Sequence, residues 1–378
     1  MSLVSDYTVP DTDIDIQSLP KISLHDHLDG GLRPSTILEL ADSVGASIPE
    51  DPTTGKAIDS PERLGQWFAD QADSGSLVEY LKTFDVTLSV MQTAEGLTRI
   101  GREFVEDLVD DGVIYGEIRW APEQHLESGL SLDGAVEAVQ AGIDEAVASA
   151  ATNGHHIHVG QLISAMRQND RSMDIAELAL RHREKGAVGF DIAGPEAGFP
   201  PARFAEAFAY LAREMFPVTI HAGEADGIES IRGALVDGHA LRLGHGVRIA
   251  EEIKDLSGKN AELAGLGSVA RWVLERGIPL EVSPSSNLQT GAIAAWGSQL
   301  ADHPFDALYR LGFAVTVNTD NRLMSSTTLT KELSLLAAQW GYGITELLEF
   351  QLTAASASFM HFDDREAAVD RLVSAYAL

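Results

Sequence analysis

The chain contains no cysteine. That excludes a disulfide scaffold, a thiolate metal site and a thiol nucleophile, so any metal must be held by nitrogen and oxygen. Basic residues are scarce: 27 Lys and Arg stand against 57 Asp and Glu, a net charge of −30. Such a surface repels phosphate backbones and anionic lipid, so neither nucleic acid nor a membrane surface is expected as a partner. No uninterrupted apolar run approaches the roughly 18 residues a membrane-spanning helix needs. The opening stretch MSLVSDYTVPDTDIDIQSLP is acidic and lacks a basic region followed by an apolar segment, so no signal peptide is expected. The default location is the cytoplasm. No internal repeat, low-complexity tract or Pro/Gly/Ser linker interrupts the chain, and the 378 residues are expected to form one domain.

What is present is a series of short apolar, β-rich runs. They begin with KISLHDHLDG at Lys21 and continue with GVIYGEIRW, HIHVGQLIS, AVGFDIAG, PVTIHAG, LRLGHG, IPLEVSP and FAVTVNTD. Between most of them lie amphipathic helical stretches such as LDGAVEAVQAGIDEAVASAAT and PPARFAEAFAYLAREMF. Runs of this kind alternating with helices indicate βα units and a parallel sheet. Eight units suggest an α/β fold of the (β/α)8 TIM-barrel type. A doubly wound open sheet is the alternative, because periodicity does not show closure. One interval is abnormally long. Residues 30–111 hold several helical patterns, among them STILELADSVG, PERLGQWFADQAD and LVEYLKTFDVTLSVM. An insertion after a barrel strand sits at the mouth of the site, so 30–111 is expected to form a helical lid or wall. Residues 1–19 form an N-terminal extension.

The polar residues cluster at the C-terminal ends of these strands. The first ends in His25, His27 and Asp29, the fourth at Asp191 and Gly194, the fifth in His221 and Glu224, the sixth in His245, the eighth in Asp320 and Asn321. In a barrel all of these face one rim, where sites are built from several strand ends. Side chains at i and i+2 of a strand share a face, so His25 and His27 can converge on one ion. Two histidines do not make a site, but His25, His27, His221 and Asp320 together form a set of three nitrogens and one oxygen. Zn2+ suits imidazole and carboxylate, with Fe, Ni and Mn fitting less specifically. A cation there brings the pKa of a bound water from about 15.7 to about 7. Glu224 and His245 lie on the same rim without being needed as ligands and form the natural acid/base pair. The residues read as metal-assisted hydrolysis. His155 and His156 begin a strand far from the rim, and together with His158 they are read as structural or solvated. His125, His182, His239, His303 and His361 receive no role.

The motifs LHDHLDG, DIAGPE, TIHAGE, RLGHG, SPSSN and VNTD, in this order, resemble the adenosine deaminase family of the metal-dependent amidohydrolase superfamily. The resemblance runs from Lys21 to the helix containing AASASFM. It implies one Zn2+ per chain on His25, His27, His221 and Asp320, and attack of hydroxide on C6 of adenine with loss of ammonia. Glu224, protonated, would donate to purine N1. His245 would orient the hydroxide and help with its proton. Gly194 would offer its backbone N–H to N3, and Asp29 would accept the ribose 5′-hydroxyl. A carboxylate at the 5′ end repels a 5′-phosphate, which favours adenosine and 2′-deoxyadenosine over AMP.

The family commonly carries a second aspartate after the last ligand, at purine N7, where this chain has Asn321. Asn donates an N–H without needing a proton, so the N7 contact is expected to survive. Base selectivity is left open by this change. Deaminases of modified or 5′-extended adenine nucleosides such as aminofutalosine, of adenine itself, and other amidohydrolase-type hydrolases stay as alternatives. A non-catalytic purine-binding barrel is the rival from another class, opposed by the intact ligand set and acid/base pair. The sequence does not give the oligomeric state.

Overall fold

The apolar runs form eight strands: β1 (Lys21–His27), β2 (Val113–Trp120), β3 (His158–Met166), β4 (Ala187–Ala193), β5 (Thr219–Ala222), β6 (Arg242–His245), β7 (Leu280–Val282) and β8 (Val315–Val317). They are seen in a computed structural model that describes residues 7–254, 256 and 265–377. Residues 1–6 of the expected extension lie outside the described residues. All neighbouring pairs are parallel, in two ladders ordered β1-β2-β3-β4 and β5-β6-β7-β8. Single parallel bridges, Phe190 with Val218 and Asp26 with Asp320, join the ladders at both seams. The sheet therefore closes into a (β/α)8 barrel, and the open-sheet alternative falls.

One seam is made by the backbone of expected metal ligands. His27 N–H donates to the Asp320 carbonyl at 2.8 Å, and Asp320 N–H donates to the His25 carbonyl at 2.9 Å. A register irregularity between Ser23 and Asp26 bends β1 just where its histidines must turn inward, a common place for a bulge.

Five helices lie between β1 and β2: α1 (Pro34–Val44), α2 (Pro61–Ala72), α3 (Leu77–Leu81), α4 (Phe84–Val90) and α5 (Ala94–Asp110). The stretch LVEYLKTFDVTLSVM splits into α3 and α4. At Lys82 and Thr83 the backbone tightens to i→i−3 bonds, and the Thr83 hydroxyl donates to the Tyr80 carbonyl at 2.7 Å. A threonine that satisfies its own turn competes with helix continuation. Around the barrel follow α6 (Leu132–Thr152), α7 (Ser172–Arg181), α8 (Ala205–Arg213), α9 (Ile228–Val236), α10 (Ser268–Arg276), α11 (Pro284–Gln289) and α12 (Phe305–Leu311). After β8 come α13 (Leu329–Trp340), α14 (Ile344–Ala357) and α15 (Phe362–Tyr376). One hydrophobic cluster links strands and helices.

The barrel interior is charged beneath the rim. Arg119 donates to Glu281 at 2.6 Å and to the Leu24 carbonyl at 2.8 Å, and its other terminal nitrogen lies 3.4 Å from Asp191. Arg242 donates to Glu281 at 2.5 Å, to Glu117 and to the Ala357 carbonyl. All five ionic side chains are buried. Each charge has partners, and losing one from such a network costs about 3–5 kcal/mol because the remainder stays desolvated. This layer is the floor on which the rim residues stand.

Candidate metal centre and active site

β1 delivers His25 and His27, β5 delivers His221, and Asp320 follows β8. Their ligand atoms all lie within 4.8 Å of one another. The Nε2 atoms of His25 and His27 are 3.1 and 3.3 Å from Asp320 Oδ1, and those of His27 and His221 are 3.2 Å apart. Opposed Nε2 lone pairs around one carboxylate oxygen repel unless a cation stands among them. Two of the three outer nitrogens face carboxylates: His25 Nδ1 bonds Glu281 at 2.8 Å, and His221 Nδ1 lies 2.9 Å from Asp191, whereas His27 Nδ1 is 3.9 Å from Asp29. A carboxylate on Nδ1 fixes the proton there and frees Nε2 for metal. His25 Nε2 is buried without a well-oriented hydrogen-bond partner among the described residues. The residues present thus fit a divalent cation of borderline softness.

The charge states of His221 and its partner suit that fit. Burial, against the pull of Asp191, holds His221 down to about 4, so the ring is neutral and able to ligate. Burial alone would raise Asp191, but His221 and Arg119 bring it to about 2. Burial likewise opposes ionisation of Asp320, and the hydrogen-bond-range contacts with His25 and His27 overcome it, holding the carboxyl well below the usual range. Against its burial, the same contact raises His27, a competition between proton and metal for one nitrogen. Ser286 Oγ donates to Asp320 Oδ2 at 2.6 Å, fixing which oxygen faces the histidines.

Glu224 and His245 face this cluster. Burial, then the charges of Asp320 and Glu196, push Glu224 well above the ordinary glutamate value, favouring the protonated carboxyl. Its Oε1 is buried without a hydrogen-bond partner among the described residues, and its Oε2 is 3.5 Å from His245 Nε2. Burial holds His245 well below the usual histidine value. The loop bearing Glu224 is gripped by Glu196, whose carboxylate accepts from the N–H groups of Gly223, Glu224, Ala225 and Asp226 and from Ser230 Oγ, at 2.5–3.0 Å. His245 and Asp320 both adopt left-handed backbone, with φ of 59° and 60°. Such residues cost of order 1–3 kcal/mol each and persist where the surroundings impose them; here the surroundings are the site.

Asp29, Gly194 and Asn321 line the same cavity, of about 200 Å³, with His27, Glu224 and His245. Gly194 has φ 95°, and a Cβ there would stand 2.7 Å from Gln168 Oε1. Asn321 presses on Gly30, where a Cβ would meet its Oδ1 at 2.0 Å. The Oδ1 atoms of Asp29 and Asn321 and the Tyr80 hydroxyl are buried without hydrogen-bond partners among the described residues. Tyr80, Leu77, Leu81 and Phe84 bring α3 and α4 into the cavity wall. No Lys or Arg lines it among the described residues. A larger cavity, of about 680 Å³, lies beside Asp26 and Arg322 and has no histidine in its lining.

All nine residues picked from the sequence thus meet at one rim. His155 and His156 are exposed, at the opposite end of β3. His125 is buried against the Met91 carbonyl at 3.0 Å, and His182 lies 2.9 Å from Asp133. His303, given no role, is connected to the site: its Nε2 is 3.3 Å from Asn287, which in turn meets His245 at 3.0 Å. Sequence reasoning also missed Glu281, Arg119, Glu196 and Ser286, and gave Asp191 no task.

A sequence model of the family described as adenosine deaminase matches residues 20–375. Adenosine deaminase 1 of Streptomyces coelicolor is 49% identical, over 95% of this chain and 87% of that protein. The adenosine deaminase of Mycolicibacterium vanbaalenii is 48% identical over 97% of each chain. Among solved structures, the N6-mAMP deaminase of Arabidopsis superposes with a TM-score of 0.78 at 28% identity, covering 95% of this chain and 99% of that one. An amidohydrolase from Burkholderia ambifaria with bound Zn superposes with a TM-score of 0.76 at 25% identity, covering 96% and 93%. Matched along almost its whole length, the chain belongs to the adenosine deaminase family.

Proposed function

We propose that this chain catalyses the zinc-dependent hydrolytic deamination of adenosine and 2′-deoxyadenosine to inosine and 2′-deoxyinosine, releasing ammonia in purine salvage and catabolism. The observation that carries the reading is the placement of Glu224, a carboxyl buried with His245 against a ligand set of three imidazoles and one carboxylate, where burial and the nearby acids favour its protonated form. An acid in that place serves the protonation of a ring nitrogen. Ring opening of a cyclic amide or cleavage of an ester gives it no such task.

His25, His27, His221 and Asp320 would hold one Zn2+, a metal that suits the donor set and that the Burkholderia neighbour carries. When bound, it supplies Lewis acidity and makes hydroxide available near neutral pH. The chain's own residues do the rest. Glu224 donates to purine N1, drawing electron density from C6. Gly194 N–H donates to N3, and the absence of a side chain there leaves room for the ring. Asn321 donates to N7 through its amide. His245 orients the attacking oxygen toward C6. Residues 30–111 act as a lid or wall, through the apolar side chains that α3 and α4 place over the cavity.

Asp29 sets the sugar end. Its buried, unpartnered Oδ1 is an acceptor for a 5′-hydroxyl. With no Lys or Arg in the described lining, a 5′-phosphate would face the Asp29 carboxylate without a countercharge, which favours a nucleoside over the nucleotide named for the Arabidopsis neighbour. The test follows absorbance at 265 nm, where adenosine exceeds inosine, with zinc-loaded protein and adenosine, AMP or adenine. A fall with adenosine alone supports the reading. Turnover of AMP or adenine at a comparable rate would reassign the substrate, and no change with any of the three would reject it.

A further inference from the structure

His245 can assist the reaction as a donor or as an acceptor, depending on which ring nitrogen carries its proton. The structure contains a chain of contacts that decides this, and it starts at a backbone amide. Phe305 N–H donates to His303 Nδ1 at 3.1 Å. A backbone N–H is only ever a donor, so this nitrogen must accept. Burial holds His303 down to about 3, so the ring is neutral and its one proton sits on Nε2. That N–H faces Asn287 Oδ1 at 3.3 Å. The reverse amide orientation would set NH2 against N–H, so Asn287 is fixed with its oxygen toward His303. Its NH2 group then points at His245 Nδ1, 3.0 Å away. Both the Nδ1–H tautomer and the doubly protonated ring of His245 would put N–H against N–H at this contact. What remains is the tautomer protonated on Nε2, the atom 3.5 Å from Glu224 and turned toward the cavity.

We propose that His303 and Asn287 are positioning residues that lock His245 as its Nε2–H tautomer, so that the ring donates a hydrogen bond to the reacting oxygen and does not accept a proton from it. The proposal rests on the reading of His245 as a group facing that oxygen. It assigns work to the asparagine of SPSSN and to a histidine that has no motif around it. Of the pair Glu224 and His245, it leaves proton exchange to Glu224.

The test is nitrogen NMR on protein labelled with 15N-histidine, zinc-loaded, with the His245 signals assigned by difference against His245→Gln. The expected wild-type result is Nδ1 as an unprotonated acceptor and Nε2 protonated. Asn287→Asp replaces the NH2 donor with an acceptor of nearly the same shape. It should move the His245 proton to Nδ1 and lower kcat by roughly 10²-fold or more, the scale of general acid–base effects, while KM changes little. His303→Gln, which keeps a donor toward Asn287, should retain more kcat than His303→Leu. Finding wild-type His245 protonated on Nδ1, or an Asn287→Asp spectrum matching wild type, would overturn the lock. The wild-type spectrum decides even if a variant fails to fold. Absence of adenosine turnover would count against the proposed function and leave the spectrum standing.

Discussion

Asp191→Asn removes one charge from the floor of the metal centre and nearly nothing from its shape. In the native chain Asp191 Oδ1 accepts from Ile192 N–H at 2.8 Å, and Oδ2 lies 2.9 Å from His221 Nδ1. An asparagine cannot serve both sides. With its oxygen left on the backbone amide, its NH2 faces His221 Nδ1 and drives the ring proton onto Nε2, where the metal must bind. With the amide reversed, NH2 faces a backbone N–H. Loss of such an outer partner costs about 10–100-fold in metal affinity, or about 1.4–2.8 kcal/mol, and the tautomer conflict puts the expected loss at the upper end. The fold should survive with a lowered Tm: losing one charge from the buried network costs about 3–5 kcal/mol, but Arg119 keeps Glu281 at 2.6 Å and the Leu24 carbonyl at 2.8 Å. The assay is zinc competition against a chromophoric chelator, with melting of the metal-free protein as the control. A folded variant that binds zinc within about threefold of wild type, against the 10–100-fold expected, would refute the reasoning.

Gly194→Ala forces a side chain onto a backbone with φ 95° and into contact with Gln168 and Met166; kcat/KM for adenosine should fall about 10- to 100-fold, as small misplacements of a bound substrate do, with zinc content unchanged. Asn321→Ala should raise KM for adenosine, and by less for 7-deazaadenosine (or its inhibition constant if turnover is slow), which lacks the N7 acceptor. Removal of metal with a chelator should lower Tm, since zinc at 100 times its Kd stabilises by about 2.7 kcal/mol; an unchanged Tm would place the ion elsewhere.

Much of the rim was legible because strand-end position and residue type coincide there. His25 and His27 share a face by strand geometry alone, and His221, His245 and Asp320 fall at ends that any eight-stranded reading would align. The floor was harder, although a signal existed. Glu117 and Arg119 stand inside the apolar run VIYGEIRW, and Arg242 and Glu281 in LRLGHG and IPLEVSP. A charge within a buried strand must find a partner, but the sequence does not say which strand provides it. Glu196, within DIAGPE, carries no sequence signal of its task, because its five donors come from a loop and helix start that only the folded barrel brings near. His303 was unreadable: its link to His245 runs through Asn287 on α11 and through a backbone amide at the start of α12. Closure was equally hidden, since each seam rests on a single bridge. The break between α3 and α4 turned on one threonine hydroxyl that outcompetes helical continuation.

The central claim is that a protonated Glu224 beside a bound metal deaminates adenosine. The most direct measurement compares wild type and Glu224→Gln for ammonia and inosine formed from adenosine, with zinc per chain determined on the same samples. The prediction is one zinc per chain in both proteins and a loss in kcat of roughly 10²- to 10⁴-fold in the variant, the range of general acid catalysis. A variant that keeps its zinc and its full rate would contradict the account.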